Sequence, residues 1–293
     1  MHWLALDVGG SGIKHAVVNQ AYELSDRGIV PTRYDSHAAF IDTVGGIYHG
    51  LGRPVDGVAI SSCGELDPRT GQMFSGGTLR FNSGVNMIES VQARCGVPVT
   101  VENDANCALL AEARLGSLTD CRNAAALIIG TAVGGAIMIE RAIYHGSHFH
   151  AGNASFTRTD VRDPASPQLN QVAGVGALLA GYARSSGTVG PVANGREFFE
   201  RVNAGDRVAD AALTDYCAVL GGYIVNLQAL LDVDAVAIGG GISAQSVFVE
   251  RLRTMAEAAF AQTTVQLPRP EIRACRHFND ANLLGAVLHH RAA

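Results

Sequence analysis

The chain has 293 residues, with 47% hydrophobic and 17% charged side chains and a net charge of −5. That length exceeds what one hydrophobic core usually organises, so two domains are expected. The acidic balance argues against nucleic acid as the main partner, since neutralising phosphates takes a basic face, and no uninterrupted apolar run reaches the ~18 residues of a bilayer span.

The chain opens on Met1-His2-Trp3-Leu4-Ala5-Leu6-Asp7, which lacks the basic start of a secretory signal and reads as a strand. Residues 3–18 run from this strand through a glycine turn into His15-Ala16-Val17-Val18, the pattern of a β-hairpin. Residues 126–139 repeat the form, with the second run at Ala136-Ile137-Met138-Ile139, so two related domains are expected. Further strands are predicted at Gly57–Ser61, Val97–Glu102 and Ala235–Ile238. Residues 105–115 predict a helix stopped by Gly116. Leu213, Cys217, Leu220, Ile224, Leu227 and Leu231 recur at helical spacing and predict a longer helix over 207–231. Polar stretches at 157–171 and 185–195 read as surface loops. The six cysteines are scattered without ligand spacing, as expected of reduced thiols in a cytoplasmic protein.

Three glycine-rich turns carry candidate chemistry. In the first, Asp7-Val8-Gly9-Gly10-Ser11-Gly12-Ile13-Lys14, the glycines let backbone N–H groups approach a phosphate. Ser11 adds a hydroxyl and Lys14, the sole lysine, adds charge; Asp7 is placed to hold Mg²⁺ through water. The alternative is a plain hairpin turn with a solvated carboxylate. The second turn is Gly130-Thr131-Ala132-Val133-Gly134-Gly135, and the third is Gly239-Gly240-Gly241-Ile242-Ser243 after a buried strand. This last turn fits the dinucleotide fingerprint G-x-G-x-x-A, so a dehydrogenase is weighed. The acidic residue needed about 20 positions on would fall inside Phe248–Ala261, which reads as a helix, with the next strand only near Val265. The dehydrogenase reading fails there.

At Glu102-Asn103-Asp104-Ala105-Asn106, a strand meets a helix. Taken alone, these residues suit a helix cap at least as well as a catalytic base facing a substrate hydroxyl. His145, His148 and His150 crowd one short segment, but no cysteine follows nearby and the next carboxylate is Asp160; a polar loop is preferred to a metal site.

In order, these segments resemble the ROK family of bacterial sugar kinases and regulators. The first turn is similar to the family's D-x-G-G-(T/S)-x-x-K, and Cys63–Gly71 to its G-x-(V/I)-D-x-x-x-G with Leu66 at the aliphatic position. Residues 102–106 match its E-N-D-A-N, Gly130–Gly135 its second phosphate loop, Gly239–Ser243 its G-G-G-(I/V)-S, and Asn279–Ala286 its closing helix. The resemblance implies an α/β, actin-like (ribonuclease H-like) two-domain fold with a cleft. Residues 1–117 plus 277–293 would form a small lobe and 118–276 a large one, and closure on sugar would limit ATP hydrolysis.

It also implies that Asp104 is the catalytic base, overriding the cap reading. Asn103, Asp104, Asn153, His148 and Gly64 are then the candidate sugar contacts. Asp7, Gly9, Gly10, Ser11, Gly12, Lys14, Gly130, Thr131, Gly134, Gly239, Gly240 and Gly241 are the candidate ATP and Mg²⁺ contacts.

Two departures stand out. The family's A-G-E-(I/F)-G-H reads Ala151-Gly152-Asn153-Ala154-Ser155-Phe156, and its cysteine-rich zinc loop is missing, so no structural zinc is expected. Some members similar to β-glucoside kinases also lack that loop. The changes put a sugar substituted at C1 or C2 in view. A non-catalytic sugar- or nucleotide-binding regulator is the rival reading. DNA binding is not expected, because the family's repressors carry a helix-turn-helix before the phosphate loop. Similar proteins are commonly dimers, and a homodimer is expected on that basis alone.

Overall fold

Strand β1 (His2–Val8) turns through Gly9–Ser11 into β2 (Gly12–Asn19), and β3 (Leu24–Pro31) follows. The computed structural model describes residues 1–32, 36–187 and 194–293. Two compact units emerge, one of residues 1–111, 145–151 and 280–293, the other of residues 112–144 and 152–279.

In the first unit, α1 (His37–Gly50) starts where the Ser36 hydroxyl accepts the Ala39 N–H. Next come β4 (Gly57–Ser62), the short strands β5 (Glu65–Leu66) and β6 (Met73–Ser75), α2 (Met87–Cys95), β7 (Val99–Asn103) and α3 (Asp104–Leu115). The sheet order is β3-β2-β1-β4-β7, antiparallel between β1 and β2 and parallel from β1 through β4 to β7. Leu4, Leu6, Val8, Val58 and Ile60 join Phe40 and Val44 of α1 in one core.

The second unit holds β8 (Ala124–Ile129), β9 (Val133–Ile139), β10 (Ala142–Ile143), α4 (Leu169–Ala173), α5 (Val175–Ser186), α6 (Gly195–Asn203), α7 (Arg207–Leu231), β11 (Ala235–Gly239), α8 (Ser246–Phe260) and β12 (Glu271–Ala274). Its sheet order is β10-β9-β8-β11-β12, with β8 antiparallel to β9 and parallel to β11, and β11 parallel to β12. The pattern of antiparallel hairpin followed by two parallel strands repeats that of the first unit, as the repeat in sequence leads one to expect. Helix α7 is long and apolar enough to cross a bilayer by length and composition. Its row Leu213, Cys217, Leu220 and Ile224 is instead fully buried in this unit's core.

Helix α9 (Ala281–Ala292) returns to the first unit, where it packs on β4, β1 and β7. At Gly285 it comes so close to α3 that a Cβ would collide with the Cys107 carbonyl.

Most predicted elements stand within two residues of the structure. The strand expected near Val265 does not: residues 261–270 are turn and coil, and β12 begins only at Glu271. Pro268 and Pro270 remove two ladder donors there. Part of the loop predicted at 185–195 lies outside the described residues; its flanks belong to α5 and α6.

Candidate active site

The junction of β7 and α3 is ordered by its own side chains. Asn103 Oδ1 accepts the N–H groups of Ala105 (2.9 Å) and Asn106 (3.3 Å), capping the helix. Its Nδ2 donates to the Gly64 carbonyl at 2.9 Å. Gly64 has φ +100 and a side chain there would run into the Ser75 carbonyl, so the chain needs glycine at this point. With the cap made by Asn103, the Asp104 carboxyl accepts the Ala105 N–H at 2.8 Å. Burial first, and then the Asp7 charge, push the partly buried Asp104 carboxyl up to about 6. A carboxylate of that basicity suits proton transfer near neutral pH.

Behind it sits Glu102, 2% exposed. It accepts from the Asn103 N–H (2.7 Å), Asn106 Nδ2 (3.0 Å) and His145 Nε2 (2.7 Å). Burial alone would raise the Glu102 carboxyl, but the His145 bond and charge, with Asn106, outweigh it and leave it below the ordinary carboxylate range. The same bond holds the His145 imidazole above its ordinary value. His289 Nδ1 stands 3.8 Å from Glu102, and burial pushes this imidazole down.

Asp7, 7% exposed, is the last but one residue of β1. Its Oδ1 accepts from Asn282 Nδ2 (2.9 Å) and Ser61 Oγ (3.4 Å), and Lys14 Nζ lies 3.3 Å from Oδ2. Lys14 therefore stands on β2 directly across from Asp7, not in the glycine turn. The turn itself is closed by a Gly9 N–H bond to the Gly12 carbonyl (3.1 Å), with Thr32 Oγ1 donating to the Gly9 carbonyl (2.8 Å). Ser11 is exposed at its tip.

The loop His145–Ala151 groups with the first unit although the chain on either side belongs to the second. Its histidines do not converge. His145 is taken by Glu102, His150 lies 3.7 Å from Glu65, and His148 is exposed. Among the described residues no three potential ligands gather around a metal position. Phe149 stacks on Phe74 of β6 (centroids 5.9 Å apart, planes at 20°), and the Arg69 guanidinium lies 5.2 Å from the Phe149 ring centre.

In the second unit, the Gly130 N–H bonds the Ala132 carbonyl at 2.9 Å, closing a turn like that at Gly9. Gly135 has no room for a side chain against the Gly152 carbonyl, and Gly240, at φ +85, none against the Ile129 carbonyl. Gly239 is filled by Ile128 and Cys275. Gly241 alone of the triple glycine faces open space. Asn153 precedes the 3₁₀ turn Ala154–Phe156 without capping it, and Phe156 is 51% exposed.

Sequence reasoning missed His145 and Asn282 as site residues. For Asn282 a signal was present, since Asn279–Asn282 repeats the Asn-Asp-Ala-Asn of 103–106.

Comparison with known proteins gives a consistent result. Residues 3–292 match the ROK family. A β-glucoside kinase of Listeria monocytogenes is 31% identical over 291 residues, covering 97% of this chain and 96% of its own. One from Klebsiella pneumoniae is 34% identical over 238 residues, covering 80% and 77%. The crystal structure of a ROK family protein from Streptococcus pneumoniae, in complex with sucrose, superposes with a TM-score of 0.87 at 26% identity, covering 98% of this chain and 97% of that one. The fold is accordingly the α/β actin-like ATPase fold of two domains. Since the match leaves out only the outermost residues and both of these β-glucoside kinases exceed 30% identity, this chain belongs to the ROK family.

Proposed function

We propose that the protein is an ATP-dependent sugar kinase that transfers the γ-phosphoryl group to a hexose or hexose-derivative hydroxyl, the 6-OH by family analogy. The observation that carries this reading is the Asp104 carboxyl, raised to about 6 at a junction fixed by Asn103 and Glu102. The names of the relatives support β-glucosides as the first substrates to try.

Phosphoryl transfer demands alignment more than covalent help. Asp104 would orient the sugar hydroxyl and take its proton late in the transfer. Asn103 Oδ1 accepts two backbone N–H groups and its Nδ2 donates to the Gly64 carbonyl, which fixes this amide beside Asp104, where it would meet a sugar hydroxyl. The glycine turns at 9–12 and 130–135 would take the ATP phosphates on backbone N–H groups, and Gly241 would lie toward the nucleoside. The oxygen donors at Asp7 suit a hard cation: Oδ2 faces Lys14, and Ser61 adds a hydroxyl. Asp7 would hold Mg²⁺ through water, and the ion when bound supplies charge that offsets the phosphates. By the same analogy the protein works as a cytoplasmic homodimer, and light scattering on the purified chain tests the dimer.

The test is ADP formation with ATP and Mg²⁺ over glucose, mannose, fructose, N-acetylglucosamine, N-acetylmannosamine and cellobiose. Sugar-dependent ADP supports the kinase. Asp104→Asn should keep sugar binding and lose about 10²–10⁴-fold in turnover; near-normal turnover sinks the base assignment. ATP binding with no sugar-dependent turnover favours a non-catalytic sensor, the reading suggested by Asn153 and Phe156.

A further inference from the structure

Phe74 and Phe149 form an aromatic platform that the fold itself does not use. Phe149 is held on three sides: Phe74 stacks on one face, Arg69 lies 5.2 Å from its ring centre, and His145 meets it edge-on at 6.3 Å. Arg69 is fixed in turn by a two-pronged bond to the buried Asp67 carboxylate, 3.0 Å on each prong. Phe149 also adopts φ +61, a backbone conformation that disfavours any non-glycine residue. Yet Phe74, whose ring this arrangement orients, keeps 54% of its surface in solvent. A ring so carefully oriented and so poorly buried contributes little to the core.

A run of bonded and neighbouring residues within the first unit links the platform to the proposed sugar site. Asp104 adjoins Asn103, Asn103 bonds Gly64, and Gly64 adjoins Glu65, whose carboxylate lies 3.7 Å from His150, the neighbour of Phe149. A hexose with its 6-hydroxyl at Asp104 and its body against Asn103 and Gly64 would turn its far end, C1, along this line.

Resting on the sugar-kinase reading, we propose that Phe74 and Phe149 form a subsite for a ring attached at C1 of a β-glucoside, either a second pyranose or an aryl group. Both rings offer a flat face of C–H or π character to stack on Phe74. The half-exposed His150–Glu65 pair borders the platform with a donor and an acceptor for hydroxyls. Two rings are far too small a patch for a stable protein partner, which needs roughly 800 Å² per side.

The test compares kcat/KM for methyl β-glucoside, phenyl β-glucoside and cellobiose in the wild type, Phe74→Ala, Phe74→Tyr and Phe149→Gly; glycine relieves the positive φ as it removes the ring. The phenyl-to-methyl and cellobiose-to-methyl ratios should fall about fivefold to tenfold in Phe74→Ala and Phe149→Gly, mainly through KM, and recover in Phe74→Tyr. A fall confined to the phenyl or the cellobiose ratio assigns the subsite to aryl or glycosyl rings respectively. Ratios unchanged within twofold in both ring-deleting variants overturn the subsite while leaving the kinase intact. A wild type that phosphorylates glucose or another sugar of the wider panel but none of the three overturns the subsite and leaves the kinase; one that phosphorylates no sugar at all overturns the kinase reading and this one with it.

Discussion

Removing His145 tests the arrangement behind Asp104 most directly. Glu102 is 2% exposed and His145 is its only close cationic partner among the described residues, since burial holds His289 toward the neutral form. The His145→Ala change strips one partner from a buried pair, which costs about 3 kcal/mol when the imidazole is charged. Once neutral, the imidazole still donates Nε2–H to the carboxylate, an interaction of about 1.5 kcal/mol.

The His145 value is raised in the folded state, so its extra stabilisation is fully present below the ordinary imidazole value of about 6.5. It is lost as pH rises through the folded value, while Glu102, held low, stays ionised throughout. The destabilisation by His145→Ala should therefore be about 3 kcal/mol at pH 6 and about 1.5 kcal/mol at pH 9. Asp104 titrates near pH 6 in both proteins and cancels from the difference to first order.

Trp3, the single tryptophan, is buried on β1 of the first unit, so its fluorescence during urea unfolding reports on the unit that contains the pair. A cost equal at the two pH values, or below about 0.5 kcal/mol at pH 6, refutes the reasoning; the latter would make the pair no stronger than a surface one.

Two further outcomes follow from the same geometry. Because the Asp104 carboxyl is raised to about 6, kcat/KM should fall about tenfold per pH unit below that value and level off above it; a limb near pH 4 contradicts the burial argument. Glu112 is fully buried and accepts from the N–H groups of Ser117, Arg276 and His277, each at 2.8 Å, and from Ser117 Oγ at 3.0 Å. Glu112→Ala strands these donors and should cost about 3 kcal/mol in thermal or urea unfolding, with Glu112→Gln costing less.

The two hairpins and α7 were legible because their signals are local: apolar runs broken by glycines, and a 3–4 residue spacing from Leu213 to Leu231. The Asp104 junction was legible as a segment, but its division of labour was not. Composition favours either Asn103 or Asp104 as cap, and only the placement of Gly64 beside Asn103 shows which side chain the cap consumes. The contacts from His145 to Glu102 and from Asn282 to Asp7 span 43 and 275 positions, and no periodicity ties such residues together. Lys14 was legible as part of a phosphate-loop pattern, but its partner was not: hairpin register sets it opposite Asp7. Gly239 and Gly240 resemble a ligand cradle in sequence, and what sequence does not show is that β11 also needs both glycines to pack closely on its neighbours.

The return of α9 to the first unit bears on the order in which the protein is made. Strands β1, β4 and β7 are all synthesised by Asn103, but Leu283, Leu284 and Val287, which bury against that side of the sheet, come about 170 residues after Ala111. At about 5–20 residues per second, the half-finished first unit waits roughly 10–30 s with that surface uncovered. The second unit, continuous apart from residues 145–151, can close first. A nascent chain would thus present its apolar sheet to chaperones until the last helix emerges, and a chain cut before Ala281 would remain in that state.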